Sequence, residues 1–496
     1  MNTIITILVI LIALSQIYLL SKQMGSNKNT ENVDFTNILS NLNINNSSYT
    51  ELFLYLYPIV LMRKTMETNY YQYQKKYLSS QVKKYTPDLS SFTNRFYNAI
   101  EPPSPDFTGV VNANVDTLYS TAWLDLKSHV TLSLPAKEDN IFVLFTAMDL
   151  WSNVVWSVEL TDKVQTIHFY KNKKPNADPY DQYVKFSTNN VWLLGRTQII
   201  DDIDKVNKLQ SKYALFSYVN GKKTEMDVLP EPETSLNPSS IVNSMNAPYF
   251  FNYATDIIAR QNQVPEEDSK ILEKLKNIGF FKNNFLGYIK NNDEIDGLSF
   301  GYTLGMKSLD FISNSGDGGS WAGISQYVGE YGTNYTIRAL VADIGLGANK
   351  ASDAVYLVWS GLDGDKQYEL DINEFPKVNA FWSLTAYNSK VFLIAGDLNG
   401  EKKALSNING TLGKKGEANK IKGIRISKDG TGSIETQPKS KKSLKIILSA
   451  TQPKTECYWL PLNAGDICSI TARFYKPDTD IQDGTWTLPN INLINN

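Results

Sequence analysis

Hydrophobic positions recur with two different periods along the chain, and the change of period separates helical from extended segments. Residues 51–80 carry apolar and aromatic side chains at spacings of three and four, interrupted by Pro58, which predicts a helical segment. From Val110 the apolar runs become short, β-branched and aromatic, with turn residues between them. This pattern predicts a first β domain that ends near Val228, with strands at 141–147, 154–160 and 191–200.

The middle of the chain returns to a helical pattern. Residues 230–240 are rich in Pro, Glu, Ser and Asn, which predicts a linker. Residues 265–279 have acids in the first turn, apolar positions at helical spacing and a glycine at the end, so they predict a helix. Two further helices are predicted at 249–260 and 302–313.

After the glycine cluster at 316–319 the pattern is again that of strands. The predicted strands are residues 367–372, 380–387, 444–449 and 467–475. Residues 400–423 are rich in Lys, Gly and Asn, which predicts an exposed loop between them. A second β domain is therefore expected over 316–496.

The N-terminus carries a hydrophobic run of 17 residues without charge, at 4–20. That length is at the lower limit for a transmembrane helix, so a single membrane anchor is predicted, with a cleaved signal peptide as the alternative because Ala13 and Ser15 offer a cleavage pattern. Glycosylation sequons occur at Asn45, Asn46, Asn334 and Asn409. In a chain this rich in Asn, chance explains most of them.

These segments predict a mainly β fold with accessory helices. The predicted boundaries are 1–22 for a transmembrane or signal-anchor segment, 23–48 for a flexible spacer, 49–229 for the helical segment plus first β domain, 230–315 for the linker and helical module, and 316–496 for the second β domain.

Composition narrows the function classes. Lys plus Arg number 49 and Asp plus Glu 51, so no basic field exists to attract a phosphate backbone, and nucleic acid is not an expected partner. The two histidines, His129 and His168, stand in no metalloprotease motif, and the chain lacks a G-x-S-x-G elbow and nucleotide-binding glycine motifs. No cofactor is expected. Cys457 and Cys468 flank a predicted turn, which allows either one disulfide or two free thiols.

The most suggestive local pattern is the alternation of Asn112, Asn114 and Asp116. A strand period of two would align their oxygen atoms on one face, and hard cations prefer such ligands. An EF-hand loop that starts at Asn112 is excluded. It would need Gly at its sixth position and Glu at its twelfth, where this chain has Thr117 and Trp123. The alternative is that these side chains bond to nearby backbone and close a turn.

Three acids are candidates for general acid-base catalysis: Asp116, Asp125 and Asp149. Arg196 lies in a strand-like run, where we expect it to pair with Asp125 or Asp149 and tie two strands together, or else to orient a substrate. Sequence spacing does not decide whether the acids meet.

A ligand-binding cleft is a further hypothesis. Its candidate residues are Asn114, Asp116, Tyr119, Arg196, Trp382 and Tyr387. In the second half Trp382 and Tyr387 stand with Thr385, Arg338, Arg473 and Tyr475, which would suit stacking on sugars or other flat ligands. The alternative for these aromatic residues is ordinary packing in a β core.

Several longer motifs resemble a known family. They are VNANVDTLYSTAWLDL at 111–126, LFTAMDLWSNV at 144–154, GEYGTNYTIRALVADIGLGAN at 329–349 and NAFWSLTAYN at 379–388. In these motifs the chain is similar to the tandem domains of unknown function DUF1254 and DUF1214, found in bacteria and some large DNA viruses. The resemblance implies two jelly-roll-like β-sandwiches joined by helices, and no settled activity. The richness in Asn, Ile and Lys points to an A/T-rich genome. Together with this resemblance, it is typical of a giant-virus member of the family.

Two functions are carried forward. The first is a single-pass membrane protein that binds ligands or builds structure on an envelope or virion, in a virion or host membrane, with a glycan or protein partner and an allowance for homo-oligomers. The second is a carboxylate-dependent hydrolase or isomerase acting on carbohydrate or lipid-derived substrates. Convergence of the acids in one pocket would favour the enzyme, and their dispersal over separate turns would favour the binding protein.

Overall fold

The computed structural model describes residues 47–74, 92–107, 111–139, 141–176, 178–219, 222–229, 237–261, 268–277, 292–314, 319–323, 327–411, 420–438 and 443–494. Over these residues the fold is mainly β with accessory helices. No helix among them is both long and apolar enough to cross a membrane. The hydrophobic run at 4–20 and the sequons at Asn45 and Asn46 lie outside the described residues.

The first β unit consists of two five-stranded sheets. Its strands are β1 (Phe96–Asn98), β2 (Thr117–Asp125), β3 (Val130–Leu134), β4 (Val143–Met148), β5 (Val154–Glu159), β6 (Gln165–Tyr170), β7 (Gln182–Lys185), β8 (Asn190–Gln198), β9 (Ala214–Val219) and β10 (Lys222–Glu225). The first sheet has the order β1-β2-β8-β4-β5, and the second has the order β10-β9-β3-β6-β7.

Alternation along these strands builds a core that both sheets share. Val130, Leu132 and Leu134 of β3 are buried with Phe145 of β4 and Val191 of β8 in one apolar cluster. Since successive strand residues point to opposite faces, the residues between them lie on the outer face of the second sheet. Three predicted strands of this unit, at 141–147, 154–160 and 191–200, are confirmed with shifts of one or two residues at their ends.

The second β unit is one large sheet with a small hairpin beside it. Its strands are β11 (Ala354–Asp363), β12 (Tyr368–Ile372), β13 (Phe381–Tyr387), β14 (Ala395–Leu398), β15 (Glu401–Leu405), β16 (Asn407–Thr411), β17 (Lys420–Ile426), β18 (Gly432–Pro438), β19 (Leu444–Ser449), β20 (Cys457–Pro461), β21 (Ile467–Tyr475) and β22 (Asn492–Leu493). The main order is β11-β21-β13-β16-β17-β20-β19-β12-β22, with β18 on β17, and β14 pairs with β15. Jelly-roll connectivity therefore stays a prediction.

The helices form the third part of the structure. They are α1 (Ser47–Gln74), α2 (Ile203–Gln210), α3 (Pro238–Asn243), α4 (Ala247–Gln261), α5 (Ser269–Asn277), α6 (Asn292–Asn314), α7 (Tyr335–Gly345) and α8 (Thr479–Gln482). Helix α1 is central, since it contacts α3, α4, α6 and α7. It continues through Pro58, which lies inside it. Its side chains are buried all round from Leu52 to Met62, and this packing outweighs the roughly 3 kcal/mol that an internal proline costs.

Two predicted segments of the second half were wrong. Residues 400–423 are not one exposed loop, because β15, β16 and the start of β17 lie there. The chain also does not return to strands after 316–319, because α7 comes first and packs in the helical core. Asn334 caps α7 by accepting a hydrogen bond from the backbone N–H of Ile337 at 3.2 Å. Asn is one of the residues most favoured at the start of a helix.

Cys457 and Cys468 are both free thiols, so the disulfide alternative is wrong. Cys457 begins β20, which pairs with β17 and β19, whereas Cys468 lies in β21, which pairs with β11 and β13. The two residues pack in different apolar clusters. Burial raises the pKa of each thiol to about 11.

A candidate ligand site between the two β units

The segment before β2 lies against the second β unit. Asp116 accepts hydrogen bonds from the hydroxyl of Ser383 on β13 and, at 3.3 Å, from the amide of Asn407 on β16. Asn114 donates to the hydroxyl of Tyr475 on β21 at 2.9 Å. The residues that the sequence singled out at 112–116 therefore meet residues of the second half.

Asp116 is 3% exposed and forms the centre of this contact. Burial raises its pKa, and three interactions partly oppose that: the charge of Arg473 and the hydrogen bonds from Ser383 and Asn407. A buried carboxylate that accepts two protein donors is held in one orientation. Asp116 is thus a structural link between the units, with both oxygens already engaged.

Arg473 extends the same network. It donates to the Thr385 hydroxyl at 3.1 Å, to the Tyr387 hydroxyl at 2.6 Å and to the backbone carbonyl of Asn112 at 2.9 Å. Tyr387 in turn donates to the carbonyl of Ala113 at 2.7 Å. We call Asp116, Ser383, Thr385, Tyr387, Asn407 and Arg473 the Asp116 network.

The proposed cation ligands use their oxygens within the protein. Asn112, at a φ of 52°, accepts from Thr471 at 3.4 Å. Asn114 accepts from the backbone N–H of Asp116 at 2.9 Å, which closes a local turn. Over the described ranges, no group of three His, Cys, Asp or Glu side chains could hold a metal ion. This geometry favours the turn over the cation site.

Arg196 lies on β8 at the same contact and is 4% exposed. Its guanidinium donates to Asn349 at 2.9 Å, to Thr146 at 3.3 Å and to the carbonyl of Gly347. It also lies 5.4 Å from the centroid of the Tyr119 ring. The expected ion pair with Asp125 or Asp149 is wrong: among the described residues, no carboxylate comes within 4.0 Å of this guanidinium.

Three tyrosines surround this arginine. The hydroxyls of Tyr119, Tyr356 and Tyr475 lie close enough to the Arg196 guanidinium to raise its pKa. Tyr356 also accepts a hydrogen bond from the Asn349 amide at 2.8 Å. Burial raises the pKa of Tyr356 and, far more, that of Tyr475, so both stay protonated. Asn114 donates to the hydroxyls of both Tyr119 and Tyr475. We call Asn114, Tyr119, Arg196, Tyr356 and Tyr475 the Arg196 site.

The Arg196 site combines half-buried and buried residues. Asn114, Tyr119 and Tyr356 are half-buried, whereas Arg196 and Tyr475 are buried. A fixed positive charge therefore lies among hydroxyl and amide groups of both β units. Such convergent polar groups at the contact of two structural units are typical of small-molecule sites.

Asp116 is separated from the other two candidate acids. It precedes the nine-residue strand β2, which ends at Asp125, so the two are about 30 Å apart at the usual rise per residue. Asp125 and Asp149 lie at the same end of the first sheet, on the strands either side of β8 and about 10 Å apart at the usual strand spacing. Asp125 is ion-paired with Lys127 at 3.0 Å. Asp149 follows β4 at the end where Met148 pairs with Trp192, also far from Asp116. A glycosidase pair needs carboxylates within roughly 10 Å, and Asp116 has no such partner in Asp125.

Asp149 occupies a different buried site. It accepts from the backbone N–H groups of Trp151 and Asn153 and from the Asn153 amide, each at 2.9 Å. Burial raises its pKa to about 6, opposed by those hydrogen bonds and by the charge of Arg338. Arg338 itself is ion-paired with Asp268 at 3.5 Å inside the helical core and takes no part in the contact between the β units.

Trp382 is placed in the core of the second unit. It is 4% exposed and packs so closely on Gly410 that a Cβ there would lie 2.3 Å from the indole nitrogen. Of the predicted ligand-binding residues, Asn114, Asp116, Tyr119, Arg196 and Tyr387 meet at the contact between the units, and Trp382 faces the apolar cluster.

Sequence reasoning missed four contributors to the contact: Asn349, Tyr356, Ser383 and Asn407. Asn349 and Ser383 lie within motifs that carry the family resemblance, and this was the available signal. Their partners are 153 and 267 positions away, so no local pattern could identify the pairs.

Comparisons with known proteins agree with this two-part organisation. The family model described as "Protein of unknown function (DUF1254)" matches residues 93–216, and that described as "Protein of unknown function (DUF1214)" matches 359–479. The two domains stand in tandem. The first match covers most of the first β unit, and the second covers most of the large sheet.

One solved structure shows a similar fold. The VPA0106 protein from Vibrio parahaemolyticus is similar over 91% of this chain and 100% of its own, with 16% identity and a TM-score of 0.58. A putative uncharacterized protein from Burkholderia cenocepacia aligns over 98% of this chain and 95% of its own, with 12% identity and a TM-score of 0.40. No curated protein matches the chain.

Proposed function

We propose that this protein is a membrane-anchored binding protein whose Arg196 site holds a small hydroxylated organic anion, such as a sugar acid. One observation carries the proposal. Arg196 is a buried cation with no carboxylate within 4.0 Å among the described residues, and a buried charge without a counter-charge is costly. An anionic ligand would supply the missing charge.

The hydrogen-bonding groups support an anion that also carries hydroxyls. The hydrogen bonds of Arg196 to Thr146, Gly347 and Asn349 come from its two terminal nitrogens. Tyr119 is a further hydrogen-bond partner, and together these contacts fix the orientation of the guanidinium. The hydroxyls of Tyr119 and Tyr356 can both donate and accept, as ligand hydroxyls require. Guanidinium groups bind carboxylates through two parallel hydrogen bonds, so a carboxylate fits this site better than a point charge.

The net charge of the contact points in the same direction. Arg196 and Arg473 bring two positive charges, whereas Asp116 brings at most one negative charge, and burial raises its pKa. The Asp116 network and the Arg196 site together therefore favour a ligand with negative charge.

The anchor part of the proposal rests on sequence alone. The uncharged run at 4–20 has the length of a short membrane helix and precedes a polar spacer. Display on a virion or host membrane would place both β units outside the bilayer. Fractionation of the full chain and of a chain without residues 1–22 tests the anchor. If only the full chain stays in the membrane pellet after a carbonate wash, the anchor is supported. Equal solubility of the two chains contradicts it.

The alternative of a carboxylate-dependent hydrolase or isomerase is less well supported. It requires convergence of Asp116, Asp125 and Asp149, and Asp116 lies at the opposite end of the sheet from the other two. Each acid is engaged by different partners: Asp116 by Ser383, Asp125 by Lys127 and Asp149 by Trp151. Dispersal favours the binding protein.

Thermal shift against matched ligand pairs tests the proposal. The probes are glucuronate, galacturonate, citrate and benzoate, with glucose, galactose and sodium chloride at equal ionic strength as neutral and salt controls. We expect at least one carboxylate to stabilise the protein where its neutral counterpart does not. Equal effects of glucuronate and glucose, or no effect from any carboxylate at millimolar concentration, would contradict it.

Two variants connect binding to the site. Tyr119→Phe removes one hydroxyl but keeps the ring beside Arg196, and Arg196→Lys keeps the charge but loses the planar fork. Both should reduce the carboxylate shift. Tyr180→Phe is the matched control, because Tyr180 is 95% exposed and distant in the fold from the contact. A shift retained in both site variants would place the ligand elsewhere.

A further inference from the structure

A row of aromatic and histidine rings crosses the outer face of the second sheet of the first β unit. His129 and Tyr218 have ring centroids 3.8 Å apart, His129 and His168 are 6.1 Å apart, and His168 stacks on Tyr183 at 5.1 Å. Phe216 lies on the same strand as Tyr218, two residues before it. We call these five residues the outer-face row.

The strand pattern explains why these rings point outward. Ile167 and Phe169 belong to the shared core, so His168 between them faces the other way. The sheet pairing sets Thr131 opposite both His168 and Phe216, which brings β3, β6 and β9 into one outer surface. Of the row, only His168 is buried, and the other four rings are half-buried.

Hydrogen bonds hold the middle of the row in place. One ring nitrogen of His168 bonds to the Thr131 hydroxyl at 2.9 Å, and the other bonds to Asp181 at 2.9 Å. With both nitrogens engaged, His168 is not available as a metal ligand. Its role is to fix the ring against Tyr183, so the surface is ordered before any ligand arrives.

Charges stand at the two ends of the row. The ammonium of Lys174 lies 4.2 Å from the centroid of the Tyr183 ring, and that of Lys223 lies 4.5 Å from the centroid of the Phe216 ring. Both lysines are exposed. Phe216 is on β9 and Tyr183 on edge strand β7, three strands away, so the two ammonium groups are about 14 Å apart at the usual strand spacing.

We propose that the outer-face row is a binding surface for an acidic oligosaccharide, whose sugar rings stack along the row and whose carboxylates meet Lys174 and Lys223. Rings with polar edges suit sugars, which offer both an apolar face and hydroxyls. Two cations about 14 Å apart suit a ligand that is extended and charged at more than one point. This site is independent of the Arg196 site, and either proposal can fail while the other stands.

Single-stranded nucleic acid is the competing polyanion, because it also stacks on aromatic rings between lysines. The charge balance disfavours it. Two acids share this face, since Asp181 bonds to His168 and Glu225 pairs with Phe216, and the chain has no overall basic excess to follow a phosphate backbone. Sugar hydroxyls can donate hydrogen bonds to these carboxylates, whereas a phosphodiester group has no proton to donate.

Isothermal titration calorimetry of the full chain tests the surface. The probes are oligogalacturonate, a neutral cello-oligosaccharide of equal length and oligouridylate. We expect binding of oligogalacturonate only, weakened about tenfold by Tyr218→Ala and by Tyr183→Ala, as loss of one aromatic stacking partner implies. Lys174→Gln should weaken binding and reduce its salt dependence. Tyr249→Ala, on helix α4 and 53% exposed, should leave binding unchanged.

Each other result overturns the proposal. Equal binding of the neutral oligosaccharide would mean that the two lysines do not contribute to binding. Stronger binding of oligouridylate would make the surface a nucleic-acid site. No binding of any probe, or an equal loss in Tyr249→Ala, would leave the row without the proposed role. Because Tyr183 and Tyr218 are half-buried on the surface, circular dichroism of both variants is expected to match that of the parent chain.

Discussion

Asp149 gives the sharpest prediction about stability. Burial raises its pKa to about 6 in the folded chain, against a value near 4 in an unfolded one. The folded state therefore holds the proton more tightly. Below about pH 4 both states are protonated and the group has no effect, and stability falls as pH rises from about 4 to about 6.

The magnitude follows from the shift. About two pKa units at 1.36 kcal/mol each mean that ionised Asp149 lowers the free energy of unfolding by about 3 kcal/mol at pH 7.5. Asp149→Asn removes this penalty. The asparagine oxygen can still accept from the N–H groups of Trp151 and Asn153, and the Asn153 amide can rotate to present its oxygen to the new NH₂ group.

The assay is urea unfolding of both proteins between pH 4.5 and 7.5, followed by tryptophan fluorescence. We expect Asp149→Asn to be more stable than the parent at pH 7.5, with a difference that shrinks towards pH 4.5. Asp125→Asn is the control for the loss of one charge, because Asp125 lies in a surface ion pair with Lys127. A variant that is less stable by the same amount at every pH would refute the reasoning.

Three further outcomes follow from local packing. Gly195→Ala should destabilise the first β unit by about 1–3 kcal/mol in thermal unfolding, because its Cβ would lie 2.6 Å from the Phe145 ring in the core; unchanged stability would mean that this ring moves freely. Asn334→Ala should cost about 1 kcal/mol through loss of the helix cap, whereas Asn334→Asp should keep it, and equal losses would exclude capping. Cys457 and Cys468, whose pKa burial raises to about 11, should react with a thiol reagent at pH 8 only after denaturation, and rapid reaction of the native chain would contradict their burial.

Local patterns predicted much of the secondary structure. The run at 191–200 became β8 (Asn190–Gln198), because a short β-branched run between turn residues has few other stable forms. The helix at 51–80 was found although Pro58 suggested an interruption. Packing from all sides decided that case, and burial by distant helices is not visible in a local window.

The candidate site was predicted in part. Asn114, Tyr119 and Arg196 were singled out by residue type, and the structure brings them together with Tyr475. The predicted carboxylate partner of Arg196 was wrong. Asp125 and Asp149 stand beside strand-like runs in the sequence, as Arg196 does, but they lie at the opposite end of the first sheet. Asn114 and Tyr475 are 361 positions apart, and only the docking of the two β units fixes that contact.

The most direct test of the binding proposal is a crystal structure of the protein with the carboxylate that gives the largest thermal shift. The account predicts that the carboxylate lies within hydrogen-bond distance of the Arg196 guanidinium, with ligand hydroxyls bonded to Tyr119 or Tyr356. A ligand bound away from Arg196, or a site filled only by protein side chains at saturating ligand, would contradict it.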